Sequence, residues 1–241
     1  GVRLSMPHAY FPAWLNALAI ITLTVGFLCA IVVATDIARH PQKMAIMDLV
    51  WALTCLFGGP LWLWLYWRFG RPKGQGIPET EPPFWAMVAK GASHCGAGCT
   101  LGDIVAEWGA FAFPAIAVWF GWHSLFGEKT FAVWIPDYII AFLVGVLFQY
   151  FTIAPMRGLS LGKGIVAAVK ADTLSITSWQ VGMYGLMAVI QFLWFKPSYG
   201  GVAKVNSPEF WFAMQLAMIA GFCTAYPTNW WLIRAGLKEK M

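Results

Sequence analysis

The sequence predicts an all-α fold: a polytopic transmembrane bundle of about six helices, with both termini in the cytoplasm. Three observations predict it. Of 241 residues, 59% are hydrophobic and only 11% charged, whereas a soluble domain carries roughly 25% charged residues. Several apolar runs reach about 20 residues, enough helix to cross a hydrocarbon core about 30 Å thick. Fifteen Trp and seven Tyr suit aromatic belts at two membrane interfaces. Residues 1–241 read as one helical domain in a lipid bilayer. The net charge of +5 belongs to that setting, where Lys and Arg set orientation and meet anionic lipid. No nucleic-acid motif accompanies it.

The elements follow in order. The first span covers about residues 14–35, entered at Pro12 and Trp14. It is too long for a removable leader and lacks a small-residue cleavage pattern. A polar turn with Pro41 leads to a second span, about 44–67. That span contains Gly58-Gly59-Pro60, a combination that kinks a helix or thins its packing. Residues 68–83 form a polar loop with Pro78, Pro82 and Pro83. The third span begins between Trp85 and Cys99 and ends near Gly121. The fourth covers about 136–154, an amphipathic connector 155–172, the fifth span 174–195 and the sixth 210–234. With six spans, eleven basic residues, Arg3 among them, lie on the side of the termini and five on the other. The excess places both termini in the cytoplasm, and His94-Cys95 with them. Thiols there stay reduced.

Chemistry concentrates in the third span. Cys95 and Cys99 are four residues apart, and Asp103 and Glu107 continue the spacing. On a helix the four form a slowly turning stripe, because each step of four advances the face by about 40°. Two thiolates beside the His94 imidazole suit copper(I) or zinc. They also suit a redox pair, although two intervening residues are usual there. A packing role stays open beside both. Gly91, Cys95 and Cys99 are small residues at four-residue spacing, the pattern that lets membrane helices approach closely.

A carboxylate in a bilayer costs roughly 3 kcal/mol or more, so Asp103 and Glu107 call for partners. Lys170 and Arg157 are the candidates, and Asp172 joins them as an intramembrane polar group. Met214 and Met218 are four apart, and with Met156 they offer thioethers for a soft-metal path. Equally, Met fills cores as a flexible hydrophobe. Buried Gln and Asn read as structural groups bonding across helices. No organic cofactor is implied.

From about Pro12 onward the chain resembles a bacterial membrane family catalogued only as a domain of unknown function. The resemblance rests on Pro41-Gln42-Lys43-Met44, on the segment from His94 to Asp103, and on Ala154-Pro155-Met156-Arg157. It continues through Lys170-Ala171-Asp172-Thr173-Leu174-Ser175 and Tyr226-Pro227-Thr228-Asn229-Trp230-Trp231. It implies a multi-span protein with a marked His-Cys segment and supplies no activity.

The expected function is therefore a multi-pass protein of the bacterial cytoplasmic membrane that binds or transports a transition metal. Copper is the metal the soft donors favour, with zinc the other candidate. His94, Cys95 and Cys99 are the expected ligands, extended by Met156, Met214 and Met218. Two alternatives stand beside it. One is an accessory subunit that associates with other membrane subunits or with itself. The other is a membrane enzyme using the thiols, or Asp103 and Glu107.

Overall fold

The computed structural model describes residues 9–73 and 81–240, so Arg3 and Pro78 lie outside it. The regular elements among these residues are helices. Six are long: α1 (Ala13–Arg39), α2 (Ala45–Leu65), α3 (Phe84–Ala112), α5 (Lys129–Arg157), α6 (Leu161–Ala188) and α8 (Pro208–Arg234). Two are short: α4 (Ala115–Trp119) and α7 (Lys196–Tyr199). α2 and α6 each continue into a wide π turn, Tyr66–Gly70 and Val189–Phe195. Local chemistry sets the boundaries. Pro12 and Pro83 precede α1 and α3 in extended geometry. Pro208 opens α8, where a missing N–H costs nothing, and the Ser207 hydroxyl accepts from the Phe210 N–H. Gly158, in the left-handed region at φ 59°, ends α5.

Five helical stretches are long and apolar enough to cross a membrane: Ala13–Arg39, Ala45–Gly70, Lys129–Arg157, Leu161–Tyr199 and Pro208–Arg234. Their outward faces carry large apolar side chains such as Ile21, Phe27, Leu143 and Val181, which only lipid can cover at low cost. α3 is too polar to qualify by composition, yet it is the most enclosed helix. Nineteen of its 29 residues are buried, so its polar side chains face protein rather than lipid.

Contacts between helix ends give the direction of each pass. At one end, here the upper, the Tyr10 N–H donates to Tyr199 O (3.0 Å) and Asn16 donates to Glu209 (2.7 Å). These join the start of α1, the end of α7 and the start of α8. At the lower end, Tyr226 donates to Trp85 O (3.1 Å), and Arg157 pairs with Glu239.

α2 departs from the expected second span. Gly59 has φ 50° and ψ −132°, non-helical values that break the helix before Pro60. The chain then doubles back. Trp51 packs edge-on against Tyr66 at 5.6 Å, although a straight helix would separate residues fifteen apart by about 22 Å. Tyr66 and Arg71 both bond to Asp36 at the lower end of α1. The tip reaches only the middle of the bundle, where Leu56 O lies against Gly26. Its exposed carbonyl is satisfied by Gln215 Nε2 of α8 at 2.8 Å. α2 is thus a re-entrant hairpin entering and leaving at the lower end. The end-to-end passes are α1, α3, α5, α6 and α8. Ala13 and Arg234 consequently lie at opposite ends of the bundle, an arrangement that differs from the expected six spans with both termini on one side. The physical reason is one glycine, whose backbone angles turn a kink into a reversal.

Candidate functional site

Small residues on α3 bring α3 and α5 into backbone contact and admit a ring of α6. A Cβ on Gly98 would lie 3.2 Å from Gly145 Cα, and one on Gly102 would lie 2.8 Å from Ala141 Cα. Gly96 receives the Trp179 ring of α6. This close approach is the packing that small-residue spacing predicts. It encloses a column of polar side chains along α3.

The upper part holds carboxyl groups. Asp103 of α3 and Asp137 of α5 face each other within hydrogen-bonding range. Tyr184 of α6 donates to Asp137 Oδ2 at 2.6 Å. Both Asp103 oxygens and Asp137 Oδ1 have no protein donor among the described residues. Two carboxylates this close repel strongly in low dielectric, so the pair is stable only with a proton or cation between them. Glu107, also buried, lies one turn above. The Lys129 ammonium near it donates to Ala110 O at 2.9 Å.

The middle holds the two thiols. Cys95 and Cys99 are fully buried one turn apart on α3, and Cys99 is within electrostatic reach of both aspartates. Below them Asp172 of α6 packs over Gly145, again with both oxygens lacking a protein donor. Gln149 and Gln180 add two buried amides that have no protein partner among the described residues.

The lower end is closed by Lys238. After α8 the chain turns through Gly236 at φ 70°, and the Lys238 side chain folds inward to complete burial. Its ammonium donates to Gly91 O (2.8 Å), Asn229 Oδ1 (2.6 Å) and Ser175 Oγ (3.3 Å). Burial pulls its proton affinity below that of an ordinary lysine, while Cys95 and Asp172 act in the opposite sense.

His94 turns toward α5 instead. The Thr152 hydroxyl donates to Phe148 O at 3.0 Å, leaving its oxygen to accept from His94 Nε2, also at 3.0 Å. The proton therefore sits on Nε2, and Nδ1 is a bare acceptor without a protein partner.

The expected site residues thus separate. Cys95 and Cys99 lie buried one turn apart on α3, while His94 turns to Thr152 of α5. No metal-holding group of three or more His, Cys, Asp or Glu occurs among the described residues. Met214 and Met218 face a lipid-side cavity, with Met218 Sδ 4.0 Å from the Thr100 hydroxyl. Met156 is exposed at the lower end. Arg157 pairs with Glu239 and Gly236 O, and Lys170 is exposed. Neither approaches Asp103 or Glu107, because those acids sit in the upper half of α3 and both cations at the lower end. The partners sequence reasoning missed are Asp137, Tyr184 and Lys238. Asp137 carried a readable signal as the one acid within 129–157.

Residues 84–238 match the family model described as Domain of unknown function (DUF4396). The match opens at α3 and closes on Lys238, so the whole column falls inside it. α1 and α2 fall outside, and so does the Pro41–Met44 motif, which makes the matched stretch narrower than the resemblance from Pro12 onward. No curated protein and no solved structure matches the chain. By its matched stretch, this chain belongs to the family of the Domain of unknown function DUF4396.

Proposed function

We propose that this protein moves protons across a membrane through the α3 column, in a bacterial cytoplasmic membrane with the lower end facing the cytoplasm. The observation that carries the reading is the facing Asp103–Asp137 pair, buried and, among the described residues, given no donor beyond the Tyr184 hydroxyl on Asp137. Intramembrane acids of this kind mark ion and proton routes. The order along α3 supplies the route: Glu107, Asp103 with Asp137, then Cys99 and Cys95, then Asp172 and Lys238. Backbone contact at Gly98 and Gly102 packs α3 closely against α5 beside this route, which suits transfer between side chains.

Purified protein in liposomes loaded with a pH dye, under a potassium diffusion potential, tests this. Asp103→Asn and Asp137→Asn should each slow proton entry by about tenfold or more. Wild-type entry no faster than in empty liposomes would overturn the proposal. So would a double Asn variant as fast as wild type.

A second reading keeps the metal. The burial of Cys95 and Cys99 one turn apart on α3 favours it, since two thiolates alone are a soft donor set for copper(I). Elemental analysis of protein purified with copper, before and after replacing both thiols by Ser, decides it. Equal metal content in both removes the reading.

A further inference from the structure

A cavity of about 340 Å³ lies on the lipid side of the bundle. Its origin is the re-entrant hairpin. α2 stops at mid-bundle, so the upper half of the lane between α1, α3 and α8 is left without a helix. The hairpin tip, Leu56 and Phe57, forms the floor, and Leu23, Phe27, Met214 and Met218 line the sides. At the upper rim Trp108 and Trp211 stack at 6.3 Å with planes 13° apart. The wall contains one charged side chain, Asp103, which is 1% exposed and has no protein donor on either oxygen. Gln215 is also in the wall, but its amide nitrogen is engaged by Leu56 O and Thr22 O.

We infer that this cavity binds a lipophilic amine, an apolar molecule bearing one cationic nitrogen, with the nitrogen on Asp103 and the body among the aromatic and Met side chains. The volume is at the lower limit for small-molecule sites and suits a one- or two-ring amine. Cationic nitrogen supplies the donors that both Asp103 oxygens lack. Phe27, Phe57, Trp108 and Trp211 present ring faces and edges to a cation entering from lipid. The inference rests on the reading of Asp103 as an exchangeable carboxyl and names the cation that would exchange there. One amine cation arriving at the Asp103–Asp137 pair displaces one proton, which leaves along the column. The balance is one positive charge in for one out. Amine binding and proton movement would then be coupled in opposite directions.

The test uses protein in phosphatidylcholine nanodiscs and a probe pair differing in charge, 1-naphthylmethylamine and 1-naphthylmethanol. Bound probe is measured by mass spectrometry after equilibrium filtration, with empty nanodiscs as the blank. Wild type should bind the amine saturably and the alcohol at least tenfold more weakly. Asp103→Asn should remove that preference. Met214→Trp, which fills the cavity, should lower amine binding without touching the carboxyl. Equal binding of amine and alcohol, or a preference that survives Asp103→Asn, would mean that the cavity takes any apolar molecule, lipid chains included, and would overturn the inference. Absence of amine binding alongside wild-type proton entry that Asp103→Asn abolishes would defeat this inference alone. Proton entry no faster than in empty liposomes, with the amine preference intact, would defeat the transport reading alone.

Discussion

Asp103 and Asp137 place two like charges where water cannot separate them, and that makes a distinctive pair of effects testable. Asp103→Asn should raise the melting temperature in detergent, by the equivalent of about 1–3 kcal/mol, because a neutral amide donates to Asp137 without the proton or cation that the carboxyl pair has to hold. The same change should slow proton entry by about tenfold or more. A residue that merely packs would lose stability on substitution, so a fall in melting temperature would count against a working carboxyl pair. Lys238 should behave in the opposite way. Lys238→Met removes the donor from Gly91 O and Asn229 Oδ1 and should cost about 3 kcal/mol. Adding Asp172→Asn should recover part of that loss if the two charges sense each other, and a purely additive double variant would show that they do not. At this scale the sequence was half legible. The stripe Cys95, Cys99, Asp103 and Glu107 is buried as the four-residue spacing implies. Its partners were not legible, because spacing on one helix says nothing about which neighbour faces it. Arg157 and Lys170 were chosen by charge and predicted side alone, and helix direction put them at the wrong depth.

Among elements, α2 and α3 explain most of the difference between pattern and structure. Hydropathy averages over a window, so residues 45–70 register as one apolar stretch although they fold as two half-length arms. The Gly58-Gly59-Pro60 signal was visible as a weak point, but its backbone angles were not. Gly59→Ala should destabilise by about 1–3 kcal/mol through φ alone, since an added methyl would meet only Val25 at an ordinary 3.9 Å. Gly102→Ala tests the other mechanism, because its methyl would press on Ala141 Cα. Thermal melts of both should show losses, and an unchanged melt for Gly59→Ala would mean that the reversal does not need glycine. α3 errs in the other direction. Its Gly, His, Cys and Asp residues lower its hydropathy below that of a lipid-facing span, for the reason that it meets protein on nearly every side.

For the whole molecule, five passes in place of six regroup the basic residues. The lower end gathers twelve of the described Lys and Arg, and the upper end only Lys129, Lys196 and Lys204. That asymmetry is steeper than the eleven to five of the six-span reading, and by the positive-inside rule it supports the proposal that the lower end faces the cytoplasm. Single cysteines introduced at Gln42 and Pro72, in a background lacking the native thiols, should be labelled from the same side as one at Lys240. One at Tyr10 should be labelled from the opposite side. Labelling of Gln42 and Pro72 from opposite sides would restore six spans. The docking of Lys238 also has a consequence for biogenesis. In chain order this residue follows all eight helices, so Asp172 is inserted while its only nearby ammonium is still on the ribosome. The lower end of the bundle therefore closes last, after α8 has been delivered to the membrane. A chain interrupted before Lys238 would carry an unfinished seam at Gly91, Ser175 and Asn229 at the lower end of the bundle.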